Sequence, residues 1–228
     1  MTDFVFPPAP IVSLPVAGSS ARFPVRRIYC VGRNYAAHIR EMGGDEREPP
    51  FFFQKPTDAI VLSGATIALP SCTEDFQHEI ELVLAIGRPG QDIAVDAAAR
   101  HVWGLAAGID LTRRDLQVAA RKTGRPWESG KSFDRSAAIT EVMPLAGELP
   151  ARGGVSLTVN GERRQSGDLG ELIWSCAEIV SELSKLYRLE PGDLVYTGTP
   201  AGVGRLVAGD RVLGQVDGLP PLTLTIAT

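Results

Sequence analysis

The chain has 228 residues, 44% of them hydrophobic, with a formal net charge of −4 and only three histidines. That apolar share suits one large globular domain, and the mild negative charge lacks the clustered Lys/Arg that nucleic-acid binding needs. No apolar run approaches bilayer-spanning length, and Met1–Pro10 carries Asp3 and several prolines where a signal peptide needs a basic start and an apolar stretch; a cytoplasmic location away from membranes is expected.

Residues 1–25, with Pro7, Pro8, Pro10, Pro15 and Pro24, read as an irregular N-terminal arm holding one or two short strands, ahead of a main domain over 26–228. Ile28–Val31 is a short strand. Asn34 offers an N-cap for a helix through Met42 that Gly43-Gly44 stops. Asp45–Pro50 is a charged loop, and Phe51-Phe52-Phe53 a core strand. From Glu79 to Ile86 the chain alternates: Ile80, Leu82, Leu84 and Ile86 take one face, and Glu79, Glu81, Val83 and Ala85 the other.

Val102–Ile109 reads as a buried strand, and Thr112 as the cap of a helix Arg113–Lys122. Val155–Val159, Asn160-Gly161 and Glu162–Gln165 spell a hairpin, because Asn-Gly suits a type I′ turn. A long helix is expected near Gly170–Tyr187, with an apolar stripe through Ile173, Cys176, Ile179, Val180 and Leu183. Short strands and turns complete an α+β fold that is mostly β. Cys30, Cys72 and Cys176 form no CxxC pair, so reduced thiols are expected rather than zinc or a disulfide framework.

With so few histidines, a bound metal must lean on oxygen. Glu79 and Glu81 share a strand face with Cα atoms about 6.5–7 Å apart. At ~6 Å and an effective dielectric near 20, their carboxylates repel by roughly 2–3 kcal/mol. Solvent, basic side chains or a cation must offset that, and for Glu-x-Glu alone a solvated face suffices. Asp110, ending a buried strand just before a helix, changes the balance. Three carboxylates match the oxygen coordination of Mg²⁺, Mn²⁺ or Ca²⁺ and leave positions open for water or a chelating substrate.

Arg114 and Gln117, three apart on one helix, could both reach a ligand near Asp110, whereas Arg113, Arg121 and Lys122 read as a solvated face. Lys131 is a candidate partner for an oxyanion or a carboxylate. His38 and Glu41, an i, i+3 pair, could form a carboxylate-oriented base for water. Thr197–Gly204 is a glycine-rich loop that lacks the Lys of a phosphate-binding loop but offers amides and the Thr199 hydroxyl to a small carboxylate. His78 points away from the acids and reads as structural.

In this order, Tyr29–His38, His78-Glu-Ile-Glu-Leu82, Gly108-Ile-Asp110 with Arg114 and Gln117, Gly130-Lys-Ser-Phe-Asp134 and Tyr196–Gly204 resemble the fumarylacetoacetate hydrolase family. The resemblance implies a mixed β-roll with a few peripheral helices, a homodimer, and Mg²⁺ or Mn²⁺ on Glu79, Glu81 and Asp110. It further implies a water-activating His38–Glu41 dyad, with Lys131, Arg114, Gln117 and Thr199 around the substrate. Arg47–Pro56 looks most like the branch that hydrolyses fumarylpyruvate to fumarate and pyruvate in gentisate-type aromatic catabolism. For a substrate with a distal carboxylate, Arg33 and Lys55 are candidate second cations. The alternatives on the same scaffold are oxaloacetate decarboxylation or tautomerisation and isomerisation of a 2-hydroxydiene dioate. A calcium-stabilised binding module without catalysis is the alternative of another class.

Overall fold

The strongest alternating segment becomes the middle of the molecule. In the computed structural model, which describes residues 3–35 and 48–228, strand Ile80–Ile86 is buried along its whole length. It lies in the largest sheet, between strands Asp193–Tyr196 and Val102–Asp110. Beyond Asp193–Tyr196 come Arg27–Gly32 and then Phe51–Lys55; beyond Val102–Asp110 come Ala137–Ile139 and Ile60–Leu62. Strand Asp193–Tyr196 runs parallel to Arg27–Gly32 and antiparallel to Ile80–Ile86.

Alternation along Ile80–Ile86 divides two cores. Ile80, Leu82, Leu84 and Ile86 join a cluster with Leu157, Val212 and Leu224 from a second, five-stranded sheet. Val83 and Ala85 join a cluster on the other side with Leu14, Phe23, Ile28 and Leu194. Each fully buried aliphatic chain is worth about 1.5–3 kcal/mol, so a strand buried on both faces has no freedom to slip register.

The second half of the expected N-terminal arm is a hairpin, Ser13–Val16 with Ser19–Pro24, and Leu14, Val16 and Phe23 are buried in that second cluster. The expected Asn-Gly hairpin forms between Gly154–Val159 and Glu162–Asp168, with Asn160 at φ +54° and Gly161 at φ +84°. Such paired left-handed residues are what a type I′ turn demands. All three cysteines are free; Cys30 and Cys176 are buried and Cys72 is exposed.

Two helices differ from the expectation. The helix expected from Thr112 runs over Arg114–Lys122 (α1), and Thr112 instead pairs with Gln77 in a short strand. The following short helix, Glu128–Lys131 (α2), packs on α1. The helix expected over Gly170–Tyr187 is a 3₁₀ turn, Leu169–Glu171, followed by Cys176–Leu186 (α3). Asn34 causes the break. It accepts from the Trp174 N–H at 2.8 Å, donates to Trp174 O at 2.9 Å, and its carbonyl accepts from the Ile173 N–H at 3.0 Å. Ser175 then restarts the helix with a capping box to Glu178. The helix expected from Asn34 to Met42 lies outside the described residues. Among the described residues, no helix is long and apolar enough to cross a membrane.

Candidate metal and substrate site

Strand pairing brings the three acids together. Glu81 sits opposite Gly108 in the antiparallel ladder between Ile80–Ile86 and Val102–Asp110. Partners across a ladder share a face, and so do residues two apart on one strand. Glu79, Glu81 and Asp110 therefore project on one side, and the Asp110 N–H donates to Glu79 O at 2.8 Å. Gly108 supplies room, because a Cβ there would lie 2.5 Å from the Tyr196 ring. One oxygen from each acid lies within 4.8 Å of the others, and all three side chains are buried.

Cations surround two of the acids. Lys131 Nζ donates to Glu79 Oε2 at 2.7 Å, to Asp110 Oδ2 at 2.6 Å and to Thr112 Oγ1 at 2.7 Å. Arg114 donates to the other Glu79 oxygen, to Gln117 and, at 2.8 Å, to Gln77. Burial alone would raise the Glu79 pKa; Lys131 and Arg114 outweigh it and hold the carboxyl well below its usual range. Lys131 is pushed the other way: burial lowers its pKa, and Asp110 with Glu79 more than restores it. Among the described residues, Glu81 accepts only from the Gly198 N–H, at 2.7 Å. Burial, reinforced by Asp110 and Glu79, raises its pKa well above the ordinary value.

Asp110 Oδ1 is buried and accepts no hydrogen bond. Lys55 Nζ stands 2.8 Å from it, a charge contact without hydrogen-bond alignment. An orphaned carboxylate oxygen within an all-oxygen cluster fits a hard divalent cation better than it fits a closed hydrogen-bond network. Glu79, Glu81 and Asp110 are the residues that would hold such an ion.

The acids form part of the wall of a cavity of about 310 Å³. Lys131, Arg114, Gln117, Thr199 and Arg33 share that wall. Lys55 does not: it is buried behind Asp110, donating to Leu111 O at 3.2 Å and to Lys131 O. The Thr199 hydroxyl donates to Ile80 O at 2.7 Å and accepts from Gln165 Nε2 at 2.8 Å. His38 and Glu41 lie outside the described residues. Arg113, expected in solvent, is half-buried and stacks at 4.3 Å on the Phe133 ring, whereas Arg121 is exposed as expected and also lines the cavity.

Two positioning roles escaped the sequence reading: that of Gln165, and that of Asn34, which in sequence reads only as a helix cap. Gln165 Oε1 faces His78 Nδ1 at 2.9 Å and accepts from the Ile80 N–H at 3.2 Å, while its amide donates to Thr199 and Pro200. It ties the strand entering the acid cluster to the glycine-rich loop, and His78 is its buried partner. Asn34 also donates to Thr197 O at 2.8 Å, anchoring the other end of that loop. A hairpin Gln and a loop Asn carry no sequence signal for such long-range roles.

Residues 27–227 match the family described as fumarylacetoacetate hydrolase, C-terminal. A fumarylpyruvate hydrolase from Ralstonia sp. is 46% identical over 179 residues, covering 78% of this chain and 93% of that protein. The oxaloacetate tautomerase YcgM of Escherichia coli (strain K12) is 38% identical, covering 88% and 93%. The crystal structure of fumarylpyruvate hydrolase from Pseudomonas aeruginosa in complex with Mn²⁺ and pyruvate superposes with a TM-score of 0.95 at 54% identity, covering 99% of each chain. With the mostly-β fold and that span of matched residues, the chain belongs to the fumarylacetoacetate hydrolase family.

Proposed function

We propose that this chain is a divalent-metal-dependent hydrolase that adds water across the C3–C4 bond of a 2,4-dioxo acid, converting fumarylpyruvate to fumarate and pyruvate. The observation that carries this reading is the buried triad Glu79, Glu81 and Asp110 in the cavity wall, with one Asp110 oxygen left without a hydrogen bond. The likeness to fumarylpyruvate hydrolases at 46% and 54% identity supports the choice of reaction and substrate. It also removes support from a calcium-stabilised module without catalysis.

Mg²⁺ or Mn²⁺ on the triad would supply Lewis-acid stabilisation of the charge left on the pyruvate fragment when the bond breaks. Arg114 and Gln117 present donors beside Glu79 and orient the C1 carboxylate. Lys131, protonated and fixed between Glu79 and Asp110, faces the same volume as a donor for developing oxyanion charge. Gln165 sets the Thr199 position, so the loop amides around Gly198 stay aimed at the acids. His38, oriented by Glu41, takes the proton from the attacking water, and that proton ends on C3 of the departing pyruvate. Residues 26–228 would form the catalytic domain with residues 1–25 as its arm, in a cytoplasmic homodimer serving gentisate-type catabolism.

The test is to incubate Mn²⁺- or Mg²⁺-loaded protein with fumarylpyruvate, acetylpyruvate and oxaloacetate, following enol absorbance together with pyruvate release. Pyruvate from the acylpyruvates is expected, and its absence from both refutes the hydrolase reading. The likeness to an oxaloacetate tautomerase at 38% identity favours tautomerisation as the second reading. Loss of oxaloacetate enol absorbance without pyruvate release, surviving replacement of His38, would select it.

A further inference from the structure

Helix α1 carries a polar ladder that continues past Arg114 and Gln117. Arg114, Gln117 and Arg121, at i, i+3 and i+7, share one helix face, and all three line the cavity. Arg114 is committed to Glu79. Arg121 sits seven residues on, about 10.5 Å along the helix axis.

A second guanidinium reaches the cavity from another element. Arg33 follows the strand Arg27–Gly32 at φ +56°, just before Asn34, whose bonds to Trp174 and Thr197 pin that turn. The Arg33 guanidinium lies 5.9 Å from the centre of the Phe51 ring. Burial first, and then the nearby Arg121 charge, lower its pKa; Glu48 acts in the opposite sense. The two guanidiniums therefore face a common volume. Apolar Phe53, Trp127, Val118 and Val203 supply much of the remaining wall.

We propose that Arg33 and Arg121 form a clamp for the distal carboxylate of a seven-carbon 2-oxo diacid, so that the cavity selects its substrate by length as well as by its chelating end. The proposal rests on reading the triad as a site for a chelated 2-oxo acid. Six carbon–carbon bonds of about 1.5 Å, in a zigzag, project to roughly 7–8 Å, which brings a C7 carboxylate within guanidinium reach of the Arg121 turn. A four-carbon diacid, with three such bonds, spans roughly 4 Å and stops short. An acylpyruvate ending in a methyl group reaches the clamp with nothing to bind. Planar guanidiniums suit this task because they meet a carboxylate with two parallel donors.

The test uses 2-oxoheptanedioate and its monoacid counterpart 2-oxoheptanoate, which lack the 4-oxo group and so are not cleaved. Calorimetric titration of the Mn²⁺-loaded protein should find the diacid bound about 10–100-fold more tightly, the worth of a charge-assisted hydrogen-bond pair. In Arg33→Met/Arg121→Met that ratio should collapse towards one. If the double variant does not fold, as read from its melting curve, Arg121→Lys carries the test, because loss of the planar fork should lower the ratio several-fold. Equal affinities in the wild type, a ratio that survives the double variant, an unchanged ratio in Arg121→Lys, or no binding of either acid overturns the clamp. Diacid preference without pyruvate release from fumarylpyruvate would keep the clamp and remove the hydrolase reading, so the two failures are distinguishable.

Discussion

Among the described residues, Glu81 alone of the three clustered acids has no ammonium or guanidinium within contact distance, and its one hydrogen bond there comes from Gly198. Its ligand oxygen lies within 4.8 Å of those of Glu79 and Asp110. At that separation and an effective dielectric near 20, each charged neighbour costs about 3.5 kcal/mol, which Lys131 offsets in part. Glu81 therefore favours its protonated form more than an ordinary glutamate does, and a cation entering the triad must displace that proton. Mn²⁺ binding should release protons, and affinity should climb as pH rises. Titration calorimetry in buffers of unlike ionisation enthalpy counts that proton directly.

In Glu81→Gln, which keeps an oxygen but has no proton to lose, the count should fall towards zero and the pH slope should flatten. A stability effect accompanies it. A carboxyl whose folded pKa is raised contributes stability that is complete below the ordinary glutamate value, about 4.3, and is lost as pH rises towards the raised value. Metal-free Glu81→Gln should therefore be more stable than the wild type at neutral pH, by about 0.5–2 kcal/mol, and equal to it in acid. A wild-type protein that releases no proton, or a variant that releases as many, refutes the argument.

Lys55→Met removes a buried ammonium that stands against Asp110 and holds two backbone carbonyls; stability should fall by about 3–5 kcal/mol, read as a drop of roughly 10 °C in melting temperature. Gly130→Ala tests the seat of Lys131, since a Cβ there would lie 2.7 Å from the Gln117 backbone nitrogen. Pushing α2 off α1 should cost about 1–3 kcal/mol and move the neighbouring Lys131 away from Glu79 and Asp110. Steady-state kinetics on fumarylpyruvate should then show kcat reduced more than KM is changed.

Period and turn chemistry carried most of the fold. The alternation of Ile80–Ile86 and the Asn160-Gly161 turn are local codes, and both appear in the structure as read. The long helix was placed too early because the apolar stripe runs straight through 172–175. The signal for its true start, Ser175 with Glu178, is present in the sequence, but Asn34 causes the break from 140 positions away. At the site, the acids were legible because strand geometry puts residues two apart on one face. Arg121 was legible in principle, one helical repeat beyond Arg114, yet its polar neighbours Lys122 and Arg125 mask the ladder in a linear reading. The tie of Lys55 to Asp110 had no signal: their strands, Phe51–Lys55 and Val102–Asp110, are separated in the sheet by three others.

The order of strands in the main sheet bears on how the protein is made. Arg27–Gly32 lies beside Asp193–Tyr196, which alone joins it to Ile80–Ile86. During synthesis that edge of Arg27–Gly32 therefore waits unpaired until residues 193–196 leave the ribosome. Gly198, whose amide meets Glu81, arrives just after. Until then Glu81 lacks that amide, and an unpaired strand edge is a template for pairing with other chains.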